Sequence, residues 1–83
     1  MTENEVFTRV VKIITPFAKN ATALGTANTT TRILEDLSVN SARLVDIILA
    51  FEDEFNIAID DEAADQVRTL GDATHMIVAK STH

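Results

Sequence analysis

The stretch Val39-Asn40-Ser41-Ala42-Arg43-Leu44-Val45-Asp46-Ile47-Ile48-Leu49-Ala50-Phe51-Glu52-Asp53-Glu54-Phe55-Asn56 decides the fold. Leu44, Ile47, Ile48, Phe51 and Phe55 recur at steps of three and four, which puts them on one face of a helix over 41–55. Asn40 or Ser41 can cap its start, and Asn56 can stop it. Its charges oppose the helix dipole. Arg43 falls in the first turn and Glu52, Asp53 and Glu54 in the last, and each such charge is unfavourable by about 0.3–1 kcal/mol when exposed. Helix stability therefore does not account for them, and recognition of a partner would.

Upstream of this helix, Val6, Val10, Ile13, Ile14 and Phe17 mark a first amphipathic helix from residue 3 to about 18. Pro16 cannot donate to the Lys12 carbonyl and biases Thr15 away from helix, so a stop or kink is expected near Thr15. Residues 19–32 show no periodicity and read as a long loop, with Leu24, Ile33, Leu34 and Leu37 as its expected anchors in the core. Downstream, a short helix is expected over 60–67, capped by Asp60, with Ala63, Ala64 and Val67 turned inward. A last helix is expected over 70–80. Thr69 and Asp72 stand at capping-box spacing, and Ala73, Met76 and Ile77 face the core. No strand pattern or repeat is evident. The fold class is all-α: a small bundle of three longer helices and one short one, with a long loop between the first and second helices.

Composition bounds the function. The 83 residues make a single domain, 1–83, with one small core that buries about 60% of the extended-chain surface. There is no Cys, so neither a disulfide nor a thiolate metal site is available. Apolar residues at 46% are too many for a disordered chain. The net charge of −6 repels phosphate backbones and anionic lipid. Nucleic-acid binding and membrane insertion are not expected, and with no signal-peptide pattern at Met1-Thr2-Glu3-Asn4-Glu5 the expected location is cytoplasmic. The triplets beginning at Asn20 and Asn28 then read as chance glycosylation patterns in a Thr-rich loop. The acids are concentrated: residues 35–72 hold eleven of them against Arg43 and Arg68, whereas residues 1–34 are net basic. An acidic half suits a basic partner, although it also serves as a solvated surface.

Catalysis is poorly supported. His75 and His83 are the available imidazoles, and both read as surface residues. No Ser-His-acid order and no Gly-rich phosphate loop is present. Asp60-Asp61-Glu62 lacks the spacing and glycine of a calcium loop, and no metal is expected. The chain reads as a non-enzyme. Ser41 at the helix start is by default a cap or first-turn residue, yet a helix N-terminus also favours a phosphate. A phosphoryl group esterified there would be stabilised, and an attached thiol arm would supply the sulfur that the chain lacks.

At this point the sequence resembles the acyl carrier protein family. The resemblance rests on Leu34-Glu35-Asp36-Leu37-Ser38-Val39-Asn40-Ser41-Ala42, on Leu44 to Phe55 with the acidic triplet, and on Ile57-Ala58-Ile59-Asp60-Asp61-Glu62-Ala63. It covers about 33–80 well and the first helix loosely. It implies 4′-phosphopantetheine on Ser41, with Asn40 beside it, transferred from coenzyme A by a phosphopantetheinyl transferase. It implies acyl groups carried as thioesters to acyl-transfer or synthase enzymes with basic docking patches. Asp46, Glu52 and Asp53 would meet those patches, with Arg43 alongside, and Ala42, Val45 and Leu49 would give apolar contact. An acyl pocket would be lined by Ile33, Leu34, Ile48, Phe51, Ile59, Ala64 and Val67, in a monomer. Departures from the family pattern are Asn40 for Asp, Ala42 for Leu, Arg43 for a common acid and Ser38 for a usual Gly. They suggest a specialised carrier of a fatty-acid or lipid pathway. The alternatives are an aminoacyl or polyketide carrier of a secondary pathway, and an unmodified protein-interaction subunit.

Overall fold

The computed structural model describes residues 2–81. α1 spans Glu3–Ile14. The Thr2 hydroxyl accepts from the Glu5 N–H at its start (3.2 Å), and Glu3 and Glu5 suit the positive end of its dipole. Val6, Val10 and Ile14 form its buried face. At Pro16 the chain tightens into a 3₁₀ turn, Thr15–Phe17. Thr15 itself stays right-handed helical (φ −45°, ψ −47°), against the usual bias before proline, and its hydroxyl donates back to the Val11 carbonyl at 2.7 Å. The expected stop is therefore present, but as a tightened turn and not as an extended residue.

The stretch expected to be a bare loop contains a further short helix. α2 spans Ala21–Gly25, with the Asn20 side chain accepting from the Ala23 N–H (3.2 Å). After it, Asn28 and Thr31 tie a tight turn. The Thr31 hydroxyl accepts from the Asn28 N–H and the Asn28 side chain accepts from the Thr30 N–H, both at 2.9 Å. Of the expected anchors, Ile33 and Leu37 are buried and Leu24 is half-buried, but Leu34 is 37% exposed. The loop is also held by its backbone. An isolated antiparallel bridge joins Arg32 to Thr69. The Ile33 N–H donates to the Arg68 carbonyl and the Leu70 N–H to the Thr31 carbonyl, each at 3.0 Å.

A second 3₁₀ turn, Ser41–Arg43, leads into α3, Leu44–Phe55, so the first turn of the expected helix is tighter than α. Asn56 ends α3 in the left-handed region (φ 53°), as expected, and the Ile57 N–H closes the last turn on the Glu52 carbonyl (3.2 Å). α4 spans Asp61–Asp65 and is capped by Asp60, which accepts from the Ala63 N–H at 2.8 Å. α5 spans Leu70–Ser81. Its capping box is complete: Thr69 accepts from the Asp72 N–H and Asp72 accepts from the Thr69 N–H, both at 3.1 Å. Among the described residues the bundle thus has three twelve-residue helices and two five-residue ones, rather than a single short one.

α1 packs along α5 and α3, and α3 also meets α5. Their apolar faces close one core around Phe51, with Ile14, Ile33, Leu37, Ile47, Leu70 and Ile77 fully buried. Each such side chain contributes about 1.5–3 kcal/mol by leaving water. Ala63, Ala64 and Met76 are half-buried against this core. His75 is exposed, and its Nε2 lies 2.7 Å from the Glu3 carboxylate. His83 lies outside the described residues. Among the described residues, no helix is long and apolar enough to cross a membrane, and no cluster of His, Cys, Asp and Glu could hold a metal ion.

Candidate functional site

The site is the head of α3. Leu37 and Val39 are buried, so the chain is anchored just before it emerges at Asn40. Between them Ser38 takes the left-handed conformation (φ 55°), where a side chain is strained and glycine is not. This explains why glycine is usual at that position in the pattern the chain resembles. Past this left-handed residue, Ser41 is exposed at the surface.

Asn40 organises the turn. Its side-chain oxygen accepts from the Ala42 N–H (2.9 Å) and its carbonyl accepts from the Arg43 N–H (2.8 Å). The Leu44 N–H then donates to the Ser41 carbonyl. Ser41 is exposed, and among the described residues its hydroxyl has no hydrogen-bond partner. Asn40, not Ser41, is therefore the cap, and the Ser41 oxygen is free for chemistry. These features fit a phosphopantetheine: an accessible nucleophilic oxygen, at the positive end of a helix, on a turn that is held without using that oxygen.

The face that runs down from this point is apolar. Val45 is 65% exposed and Leu49 56%, and Ala42 is exposed one turn above them. Large side chains are left in water here although α3 has a full core face elsewhere. The acids beside this ridge are less available than their sequence positions suggest. Asp46 pairs with Arg43 at 3.1 Å. Glu52 is half-buried, and its carboxylate accepts from the Ile59 N–H at 2.8 Å, stitching α3 to the segment before α4. Glu54 pairs with Arg9 of α1 at 3.4 Å. Asp53 is exposed and, among the described residues, unpaired. The acids that oppose the dipole of α3 thus have internal uses at Glu52 and Glu54: Glu52 bonds a backbone N–H just past the helix, and Glu54 bonds a side chain of α1 that is distant in the chain.

The seven residues expected to line a pocket divide. Ile33, Ile48, Phe51, Ile59 and Val67 are buried in the core, and Ala64 is half-buried. Leu34 instead lies at the surface. With Val67 it lines a hollow of about 530 Å³ that Arg32, Glu35, Arg68, Thr69 and Asp72 complete. One side of it is a fixed charge cluster. The Arg32 N–H and guanidinium both bond Asp36, which holds that carboxyl below its usual range and raises the Arg32 guanidinium in return.

The chain is similar to known proteins. Residues 19–77, well over half of the chain, match the family described as "Phosphopantetheine attachment site". An acyl carrier protein of Caulobacter vibrioides is 42% identical over 48 residues, covering 58% of this chain and 62% of that protein. The mitochondrial acyl carrier protein of Saccharomyces cerevisiae is 30% identical over 81 residues, covering 95% of this chain and 65% of that protein. The chain thus spans just under two thirds of the length of these curated relatives. A solved structure of the acyl carrier protein from Enterococcus faecalis superposes with a TM-score of 0.80 at 33% identity, covering 98% of this chain and all of that one.

Proposed function

The chain belongs to the acyl carrier protein family, and from that premise we propose that it carries acyl intermediates as thioesters on an arm attached to Ser41. The prosthetic group of the family is 4′-phosphopantetheine, and its members are carriers, not enzymes. The observation that supports Ser41 is its exposed, unpartnered hydroxyl at the head of α3, on a turn that Asn40 holds. Loading forms a bond from the Ser41 oxygen to the phosphorus of coenzyme A that bears the pantetheine. It breaks that phosphorus's bond to adenosine 3′,5′-bisphosphate, which leaves. The hydroxyl proton passes to a base on the phosphopantetheinyl transferase. When bound, the arm supplies the thiol on which acyl groups travel.

The proposed docking surface for the transferase and for acyl-handling enzymes is the ridge of Ala42, Val45 and Leu49, with Asp53 as its free acid. Arg43 takes up the charge of Asp46. This leaves the upper ridge less acidic and supports a specialised carrier within a fatty-acid or lipid pathway, working as a monomer and as one domain. The cytoplasm is the proposed compartment. The yeast relative is by its name mitochondrial, and fractionation of the native host is the check. The hollow at Leu34 and Val67 is the proposed way by which an acyl chain reaches the core between Ile33, Ile48, Phe51 and Ile59.

The test is intact mass after incubation with coenzyme A and a broad-specificity phosphopantetheinyl transferase. The wild type should gain one phosphopantetheine and Ser41→Ala none, with unchanged helix content by circular dichroism. A loaded Ser41→Ala protein overturns the assignment. So does a wild type that stays unmodified both here and as isolated from its native host.

A further inference from the structure

A phosphate esterified to Ser41 would meet an unusual helix start. Backbone N–H groups normally hold such an anion. Here the Ala42 and Arg43 N–H groups are both bonded to Asn40, and that of Leu44 to the Ser41 carbonyl. With those three N–H groups taken, side chains are the further source of donors for the phosphate. A hollow of about 410 Å³ adjoins the turn, lined by Pro16, Phe17, Ala18, Lys19, Asn40 and Arg43. Two of these are cationic and none is acidic, in a chain of net charge −6. Hollows elsewhere on the surface include acids, such as Glu5, Glu35 with Asp72, and Glu54.

The two cations are built into the fold from separate segments. The Lys19 N–H donates to the Leu37 carbonyl (3.1 Å) and contacts that of Ser38 (3.4 Å), which fixes the base of its side chain against the run that leads to Ser41. Arg43 closes the turn on the other side of Ser41. Its Nη1 is bonded to Asp46 (3.1 Å), which leaves most of its five N–H donors for a second anion. A surface pair of this kind is weak enough to share.

We infer that this hollow binds the phosphodiester of the arm, with Lys19 and Arg43 as its cationic contacts. The inference rests on attachment at Ser41. It makes the arm a ligand of the protein at its root: the phosphate is pinned between the end of the first 3₁₀ turn and the head of α3, while the thiol end stays free. A phosphodiester keeps its negative charge throughout the neutral range, so this contact is set by salt and not by pH.

The experiment compares apo and phosphopantetheine-loaded protein. Intact mass confirms loading, and the readouts are thermal midpoint and the ³¹P resonance, at about 20 mM and about 0.5 M NaCl. The loaded wild type should melt about 3 °C above the apo form at low salt, the shift expected for a modest interaction in a chain of this size. The difference should vanish at high salt and in the Lys19→Gln/Arg43→Gln double variant, whose ³¹P resonance should move. Arg43→Lys should retain it. Loaded wild type and double variant with equal apo-to-loaded differences and one common ³¹P position overturn the inference. That result, joined to slower loading of the double variant, would assign the hollow to an acidic side chain of the transferase. A wild type that never loads overturns the Ser41 assignment and this inference together, and the mass reading tells the two failures apart.

Discussion

The starts of α3 and α5 are the same kind of local object put to opposite uses. At α5, every early N–H group is met by the chain itself. Leu70 donates to Thr31, Gly71 to the Thr29 carbonyl (2.9 Å), Asp72 to the Thr69 hydroxyl and Ala73 to the Thr69 carbonyl. The fit is so close that a Cβ on Gly71 would lie 2.7 Å from the Thr29 oxygen. At α3 the turn is tighter, one side chain organises it, and Ser41, Ala42 and Arg43 all face solvent. One helix start joins the loop to the bundle. The other is left open, and an open, rigidly held helix start is what a covalent attachment needs. The difference teaches that a cap alone does not mark a site: the marker is a capped start onto which the fold has packed nothing.

This contrast can be broken at its closed end first. Gly71→Ala should cost about 2–3 kcal/mol, because the Thr29 carbonyl cannot retreat without giving up its bond to residue 71. Urea unfolding measures it, and a loss under 1 kcal/mol would show that the loop is not locked there. Removing each cap in turn sharpens the comparison. Thr69→Ala should cost about 1–1.5 kcal/mol, since it opens a two-way capping box. Asn40→Ala should cost about 0.5 kcal/mol, since its turn is exposed, but should slow loading of Ser41 by more than its effect on stability would suggest. Equal stability losses at the two caps, measured by the same unfolding curves, would contradict the contrast.

Smaller effects follow from the segment that leads into the start of α3. Ser38→Gly should stabilise by about 0.5 kcal/mol, as relief of the left-handed strain is partly offset by the freer unfolded chain. A destabilised variant would mean that the hydroxyl holds something the geometry does not show. Asp36 gives the smallest effect. Its carboxyl is held below the usual range in the folded chain by the Arg32 N–H and guanidinium. A depressed folded value means stability that is present above the unfolded value, near pH 3.9, and lost as pH falls through the folded one. Asp36→Asn should therefore flatten the acid limb of a stability curve below about pH 4 and leave neutral loading unchanged. An unchanged acid limb would remove Asp36 from this role.

Legibility in the sequence followed interaction range. The face of α1, that of α3 from Ile47 on, the stop at Asn56, the cap of α4 and the box at Thr69 and Asp72 were readable, because each is set by residues within a turn of one another; Leu44, expected on the core face of α3, is only half-buried. α2 was missed. Its signal, Asn20 ahead of Ala21-Thr22-Ala23-Leu24 and then Gly25, is a cap and a terminator around too few residues to show a period. Leu34 was misplaced because an apolar residue in a loop has no periodicity to say which way it faces. At the candidate site, the position of Ser41 was legible as a resemblance, whereas the pairing of Glu54 with Arg9 of α1, 45 residues away in the chain, was not.

The sequence by itself determined that the chain is helical, where its long helices lie, and that a serine opens α3, because spacing, caps and apolar faces are local facts. Only the tertiary structure decided which helix start would be closed and which left open. That choice rests on backbone contacts between the Thr29–Ile33 run and the Arg68–Gly71 run, about forty residues apart in the chain. Backbone groups are the same in every residue. Their pairing leaves no trace in side-chain pattern, except the one glycine that the closeness of Thr29 requires.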